Sequence, residues 1–378
     1  MRIVVIGSLA RSLINFRGPM LRELRARGHQ VIACAPDAQQ DVREELQRLD
    51  VDYHDIPLSR AGMNPTQDLR TLKYLRRFFL ETQPDAVLAY TIKPVIWGLL
   101  AARFAGVPQR YAMITGLGYA FLQGDGVRQR LIQSLVTKLY RSSLKGATGI
   151  FFQNPDDQTE FQERSLISSE TSIHRIHGSG VDLKYFSPSP LPKNNATFLL
   201  IARLLGDKGI REYQQAARDL KKRYPGTRFL LAGPLDNNPS AISEEELGEW
   251  KESGDLEYLG PLSDVRGALS TCTVYVLPSY REGTPRTVLE AMATGRAIIT
   301  TDAPGCRETV EPGVNGVLVP PRDTAALAEA METFIHEPER AERMGRESLR
   351  LARERYAVEK VNATILSGMG LSTPQGHD

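Results

Sequence analysis

The chain is short of the residues that staple, anchor or coordinate. Its 378 residues include three cysteines, Cys34, Cys272 and Cys306. None has a C-x-x-C partner, so neither a disulfide frame nor a cysteine zinc site is expected, and reduced thiols in a cytosolic protein are. No apolar run approaches the roughly 18 residues of a membrane-spanning helix. The opening MRIVVIGSLA begins a strand at once, without a basic leader and long apolar segment. The expectation is a chain neither exported nor threaded through a membrane. His174 and His177 have no carboxylate at metal-ligand spacing, and His29 stands where a helix hands over to a strand, a place for packing and capping. A G-x-G-x-x-G is also missing after the first strand, and with it a dinucleotide fingerprint.

Net charge is small as well, +2, yet it is unevenly spread. Residues 1 to 150 carry 21 Lys and Arg against 12 Asp and Glu, leaving 26 against 33 for residues 151 to 378. A basic front half suits an anionic partner such as phosphate, nucleic acid or a lipid headgroup surface; solvated basic helix faces account for it equally well. The length exceeds one ordinary core and suits two domains of about 150 to 200 residues each.

What is present is a βα rhythm. Short apolar strands at 3–6, 31–35, 85–90, 111–114 and 150–154 alternate with helical patterns, and a Gly, Ser, Pro and Asn-rich stretch from Gly178 to Asn195 reads as a linker. Strands then follow at 197–202, 228–232, 256–259, 274–278, 297–300 and 316–319. The expected architecture is α/β: two Rossmann-like parallel-sheet domains, 1–190 and 191–378, facing across a cleft, with the last helix crossing back to the first domain. Ligands in such sheets sit at strand carboxyl ends. That rim holds Gly7, Asn15 and Arg17 after the first strand, Thr91 and Lys93 after the strand ending at Tyr90, and Gly116, Leu117 and Gly118 after Ile114. The two glycines fit either a close substrate approach or a tight turn. Helical patterns at 64–83 and 128–145 carry basic stripes, Arg70, Lys73 and Arg77 beside apolar Leu69, Leu72, Leu75 and Phe79, and Lys138, Arg141 and Lys145. They read as solvated outer faces or as surfaces resting on an anionic membrane.

The stretch VYVLPSYREGTPRTVLEAMATGRAIIT, Val274 to Thr300, is a βαβ unit with Glu282 in its turn and Glu290 in its helix. A ligand across that helix start meets both carboxylates and the first-turn amides. In the loop after the strand FLLIAR, Arg203 and Lys208 suit a diphosphate, the first with a planar fork and the second with a point charge; ordinary surface bases are the plainer alternative. Arg286 adds a third cation.

With Arg203, Lys208-Gly209, Glu282-Gly283, Glu290-Ala291, Gly295, GCRETV, NGVLVPP and GVDLKYF, nearly the whole chain resembles the retaining glycosyltransferases of family 4, which have the GT-B fold. LIARLLGDKG, LPSYREGTPRTVLEAMATG and GLGYAF are most similar to bacterial enzymes extending a sugar on undecaprenyl pyrophosphate, such as N-acetylgalactosaminyltransferases. The resemblance implies a UDP-sugar donor, no metal, no nucleic-acid partner, and retention. It implies that Arg203, Lys208 and the helix amides hold the departing diphosphate and that Glu282 serves the donor sugar. Glu290 would hold the ribose, with Gly7, Gly283, Thr284 and Arg286 completing the donor site. Asn15, Arg17, Thr91, Lys93, Gly116, Leu117 and Gly118 would meet a lipid-linked saccharide acceptor. Two departures stand out: Glu282-Gly283-Thr284-Pro285 replaces E-G-F-G, and Pro285 has no N–H; no His occupies positions 90 to 93. The resulting expectation is a hexosyltransferase on the inner face of the cell membrane, using a UDP-N-acetylhexosamine. A soluble acceptor, a UDP-sugar epimerase and a non-catalytic sugar-binding module are the alternatives.

Overall fold

The computed structural model describes residues 1–59, 64–117, 127–192, 195–236, 238 and 240–371. The chain divides into two compact units, residues 1–179 with 361–378, and residues 180–360.

The first unit is built on β1 (Arg2–Ile6), β2 (Gln30–Ala35), β3 (Asp52–Asp55), β4 (Ala86–Tyr90), β5 (Gln109–Ile114), β6 (Gly149–Phe152) and β7 (Ser172–Arg175). All neighbours are parallel, in the order β3-β2-β1-β4-β5-β6-β7. The inner strands are continuous apolar runs because helices cover both faces of a parallel sheet. Alternation then splits β1: Val4 and Ile6 join Leu75, Phe79 and Tyr140 on one side, and Ile3 and Val5 join Leu21, Leu24 and Ile365 on the other. The polar edge strands β3 (DYHD) and β7 (SIHR) carry no such run, and apolar periodicity does not reveal them.

The second unit repeats the plan with β8 (Thr197–Ile201), β9 (Arg228–Ala232), β10 (Glu257–Tyr258), β11 (Val274–Leu277), β12 (Ala297–Thr301) and β13 (Gly316–Val319). Their order is β10-β9-β8-β11-β12-β13, again parallel throughout. In both units the chain runs outward from a central strand, then returns to that strand's other side. The resulting switch points, β1/β4 and β8/β11, are where a doubly wound sheet opens a crevice at its carboxyl edge.

The helices correct one sequence expectation. Pro65–Thr82 starts at Asn64, whose side chain accepts from the amides of Thr66 and Gln67. Its buried stripe is Asp68, Thr71, Leu75, Phe78 and Phe79, whereas Leu69 is 49% exposed. One residue of a helix is about 100° of rotation, so Leu69 is turned away from the core its neighbour Asp68 faces. The loop after β1 also contains a short helix, Ala10–Asn15, before the helix Gly18–Ala26.

After the helix Val358–Gly368 begins, Val361, Ile365, Leu366, Met369 and Leu371 complete an apolar cluster of the first unit. Tyr111 donates its hydroxyl to the Met369 carbonyl at 3.1 Å. Leu366 is fully buried there. Leu366→Ala is expected to destabilise the first unit by about 2–5 kcal/mol, the loss for a cavity at such a site, read as a lowered denaturant midpoint.

Candidate functional site

In the second unit the site grows from the turns that follow β8 and β11, adjacent strands at the switch point. Gly206–Lys208 form a short 3-10 turn, and Gly209, at φ +70°, passes the chain into the helix Ile210–Arg223. A Cβ on Gly209 would lie 2.1 Å from the Pro278 carbonyl oxygen, so only glycine lets the two turns touch. Across this contact the Tyr280 amide donates to the Asp207 carbonyl at 2.9 Å. The ammonium of Lys208 reaches Glu282 Oε1 at 2.5 Å, with side chains only 14% and 19% exposed. Burial alone would lower the Lys208 pKa, but the charge and hydrogen bond of Glu282 outweigh it and the net shift is upward. Ser279, fully buried, donates to the same carboxylate oxygen at 2.9 Å.

A third turn supports this pair from β12. Gly305, at φ +79°, brings Pro304 close enough for its carbonyl to accept from the Glu282 amide at 2.9 Å. A side chain at Gly305 would run into the carbonyls of Glu282 and Gly283, at 2.1 and 2.6 Å. Glu282 is thus fixed by its backbone and by its carboxylate.

The helix after this turn is Arg286–Ala293, with Pro285 as its N-cap. Proline at that place removes one N–H while leaving the helical amides from Arg286 onward. Glu290 is nine-tenths buried and accepts from Arg286 Nε at 2.8 Å, one turn earlier. Burial raises the Glu290 pKa, and the charge and hydrogen bond of Arg286 only partly offset it. Gly283 and Thr284 occupy the turn between the two carboxylates. Arg203 is held differently: its guanidinium bonds Asp236, on the loop after β9, at 2.7 Å and is 45% exposed.

In the first unit the β1/β4 switch point gathers Gly7, Arg17, Thr91 and Lys93. Gly7 lies against the Tyr90 hydroxyl, which a Cβ would meet at 2.3 Å. That hydroxyl pairs with Ser12 Oγ at 2.7 Å, and the Arg17 guanidinium, 2% exposed, lies 5.0 Å from the Tyr90 ring centre. Burial raises the Tyr90 pKa to about 12, against the lowering pull of Ser12 and Arg17. Thr91 holds φ +68°, a conformation costly for a β-branched residue, and donates to Ser8 Oγ at 2.9 Å. Lys93 bonds Asp68 at 3.0 Å, both side chains largely buried, just before a π-helical turn over Pro94–Gly98. Asn15 is exposed at the end of its helix. Gly116 has φ +110°, Leu117 is fully buried in the core, and Gly118 lies outside the described residues.

Sequence reasoning missed the partners. Asp68, Asp236, Ser279 and Pro304 contribute to these arrangements; of them only Ser279, directly after a strand in LPS, carries a local signal. Among the described residues, no group of three or more His, Cys, Asp or Glu gathers as metal ligands would. A broad groove lined by Pro190, Gly226, Thr273, Gly295 and Arg346 opens before the first residues of β8, β9, β11 and β12. That is the opposite edge of the sheet from the charged turns, so chemistry outweighs size in choosing the site.

Two doubly wound parallel-sheet units are the plan of the GT-B fold. It matches sucrose-phosphate synthase from Thermosynechococcus elongatus with a TM-score of 0.80 at 17% identity, covering 97% of this chain and 98% of that one. It also matches HepE of Anabaena in complex with UDP-glucose at 0.77 and 18%, covering 98% and 99%. At these identities the likeness is one of fold. The chain belongs to the group 1, family 4-like glycosyltransferases: residues 182–350 match "Glycosyl transferases group 1" and residues 18–176 "Glycosyl transferase 4-like domain". A relative 31% identical over 350 residues, covering 89% of this chain and 90% of its own length, is the N,N'-diacetylbacillosaminyl-diphospho-undecaprenol alpha-1,3-N-acetylgalactosaminyltransferase of Campylobacter jejuni.

The raised pKa of Glu290 sets a pH dependence. The folded chain holds this proton more tightly than the unfolded chain, so the group stabilises the fold at acid pH and loses that contribution as pH rises through the ordinary carboxyl range toward its folded value. Glu290→Gln lacks this titration. Melting curves are expected to show the variant gaining on the wild type as pH rises from about 4 to 7.

Proposed function

We propose that this glycosyltransferase moves an N-acetylhexosamine, of the GalNAc or GlcNAc type, from a UDP-sugar to a polyprenyl-diphosphate-linked saccharide, with retention at the anomeric carbon. The observation that carries the reading is the Lys208–Glu282 pair set beside the start of the helix Arg286–Ala293, a cation and a carboxylate at one switch point. The undecaprenyl-linked acceptor named for the Campylobacter relative and the UDP-glucose held by the structural neighbour support its two substrates.

In this reading the bond from C1 to the phosphate oxygen breaks with its electron pair going to the diphosphate. Lys208, Arg203, Arg286 and the turn amides at Gly283 and Thr284 receive that charge, so the leaving group needs no metal from the protein. Glu282 binds sugar hydroxyls and opposes the positive charge growing on C1. Glu290, which also fixes Arg286, accepts from the ribose hydroxyls, and Gly7 approaches the donor. The acceptor oxygen attacks the same face, and its proton passes to the departing phosphate oxygen. Asn15, Arg17, Thr91, Lys93, Gly116, Leu117 and Gly118 serve the acceptor. Because Arg17 and Lys93 already hold Tyr90 and Asp68, their part is to shape that site as well as to charge it.

The lipid end of the acceptor suits a peripheral place on the inner face of the cell membrane. No helix among the described residues is long and apolar enough to cross a membrane. The outer face of Pro65–Thr82 presents Leu69, Tyr74 and Leu80 together with Arg70 and Lys73. From residue 86 to 155 the sequence has one acid, Asp125, against eight Lys and Arg. Such a surface pairs apolar contact with attraction to anionic headgroups.

Three measurements test the reading. A thermal-shift panel of UDP-, GDP- and ADP-sugars is expected to single out the UDP donors, and transfer to an undecaprenyl-diphosphate saccharide to fall about 10²–10³-fold in Glu282→Gln. Unchanged turnover would remove Glu282 from the chemistry, and donor isomerised without acceptor would make the chain an epimerase. In flotation with anionic liposomes, binding at low salt and release at high salt are expected; no binding at low salt points to a soluble acceptor.

A further inference from the structure

We infer that Ser279 is the positioning residue of the site, a buried hydroxyl that aims Glu282 and allows it to turn toward the donor sugar without leaving a buried group unsatisfied. The inference rests on the donor-site reading above and adds a residue to it.

Ser279 has no exposed surface and is fixed on its backbone side. Thr301 Oγ1 donates to its carbonyl, and Cys306 Sγ lies 3.8 Å from the same oxygen. Burial raises the Cys306 thiol to about 12, with Glu282 adding to the shift, so this neighbour is a neutral weak donor at working pH. The Ser279 hydroxyl therefore stands in a rigid frame.

It faces two acceptors with one proton. Glu282 Oε1 is 2.9 Å away and the Asp207 carbonyl 3.1 Å away. A hydroxyl donates to one acceptor at a time, so the proton chooses between the carboxylate and the carbonyl. While it points at Glu282, two donors, Ser279 and Lys208, converge on Oε1 and hold the carboxylate in one direction. When a donor sugar draws Glu282 away, the hydroxyl rotates to Asp207 and keeps a hydrogen bond. Without that second acceptor, each movement of Glu282 would strand a buried donor, a cost of the order of a whole hydrogen bond.

Asp207 is the residue before Lys208, and its carbonyl also accepts from the Tyr280 amide. The second acceptor is thus part of the backbone that carries the cation. The carboxylate aimed at the sugar and the ammonium aimed at the diphosphate share one hydroxyl hinge.

The test compares Ser279→Ala and Ser279→Thr with the wild type in three readouts: melting temperature, UDP affinity by calorimetry, and transfer kinetics with the UDP-sugar chosen by the thermal-shift panel. Ser279→Ala is expected to lower kcat about tenfold while UDP affinity stays within about twofold, because the lost bond acts on the carboxylate and not on the diphosphate cation. Ser279→Thr, which keeps the hydroxyl, is expected to recover most of kcat. UDP affinity and kcat falling together with the melting temperature would overturn the inference in favour of a packing role, and so would an unchanged kcat in Ser279→Ala. If the threonine variant fails to fold, the split between kcat and UDP affinity in the alanine variant decides alone. A wild-type chain that binds no UDP overturns the donor-site reading and this inference with it; UDP binding with an unchanged alanine variant overturns the inference only.

Discussion

The contact between the turns after β8 and β11 is the constraint on which the second unit's chemistry depends. Parallel neighbours end on the same edge, so whatever follows these two strands must share space. The chain meets that demand with a glycine where the backbones touch, a backbone hydrogen bond across the contact, and a lysine opposite a glutamate. A largely buried ammonium and carboxylate each pay heavily for leaving water and are tolerated because they face each other with further donors at hand. Gly305 extends the same logic to a third strand. Three turns from β8, β11 and β12 therefore hold one carboxylate, and its resting direction is set before any ligand arrives.

The first unit uses the same strand order for a different balance of forces. Its switch point is held by a neutral hydroxyl pair, Tyr90 with Ser12, and by the Arg17 guanidinium lying over the tyrosine ring. Thr91 keeps a backbone conformation that costs about 1–3 kcal/mol for a residue of its kind, held by Ser8 and by the helical turn that begins after it. Strain at a strand end, followed at once by a π-helical turn, marks a place where the fold has accepted local cost to set groups in position. Lys93 emerges there already bound to Asp68, which ties the rim to the helix whose outer face is basic and apolar.

These contacts explain why charge patterns alone misjudge the chain. Arg203, Lys208, Arg286 and Lys93 all look like open cations in the sequence, and each has a carboxylate within 3.0 Å in the fold. Their acids lie 33, 74, 4 and 25 residues away. Only the Arg286–Glu290 pair falls within one helical turn, where spacing along the chain reports contact.

What the sequence determined by itself follows from local periodicity. Continuous apolar runs marked the inner strands, glycine and proline punctuated the turns, and the residues at strand carboxyl ends were legible because β-strands are short and their ends well marked. The α/β class and the GT-B plan came through on that evidence together with the family motifs. The short polar edge strands did not, because a strand such as DYHD has no apolar run and exists only through its neighbour. The outward turn of Leu69 was hidden too, since which helical face meets the core is set by docking. Above all, strand order was undetermined: it alone puts β8 beside β11 and brings Lys208 to Glu282 across 74 residues of sequence. Periodicity is a property of neighbours along the chain, whereas the choice of partner is a property of neighbours in space, and the site is made of the second kind.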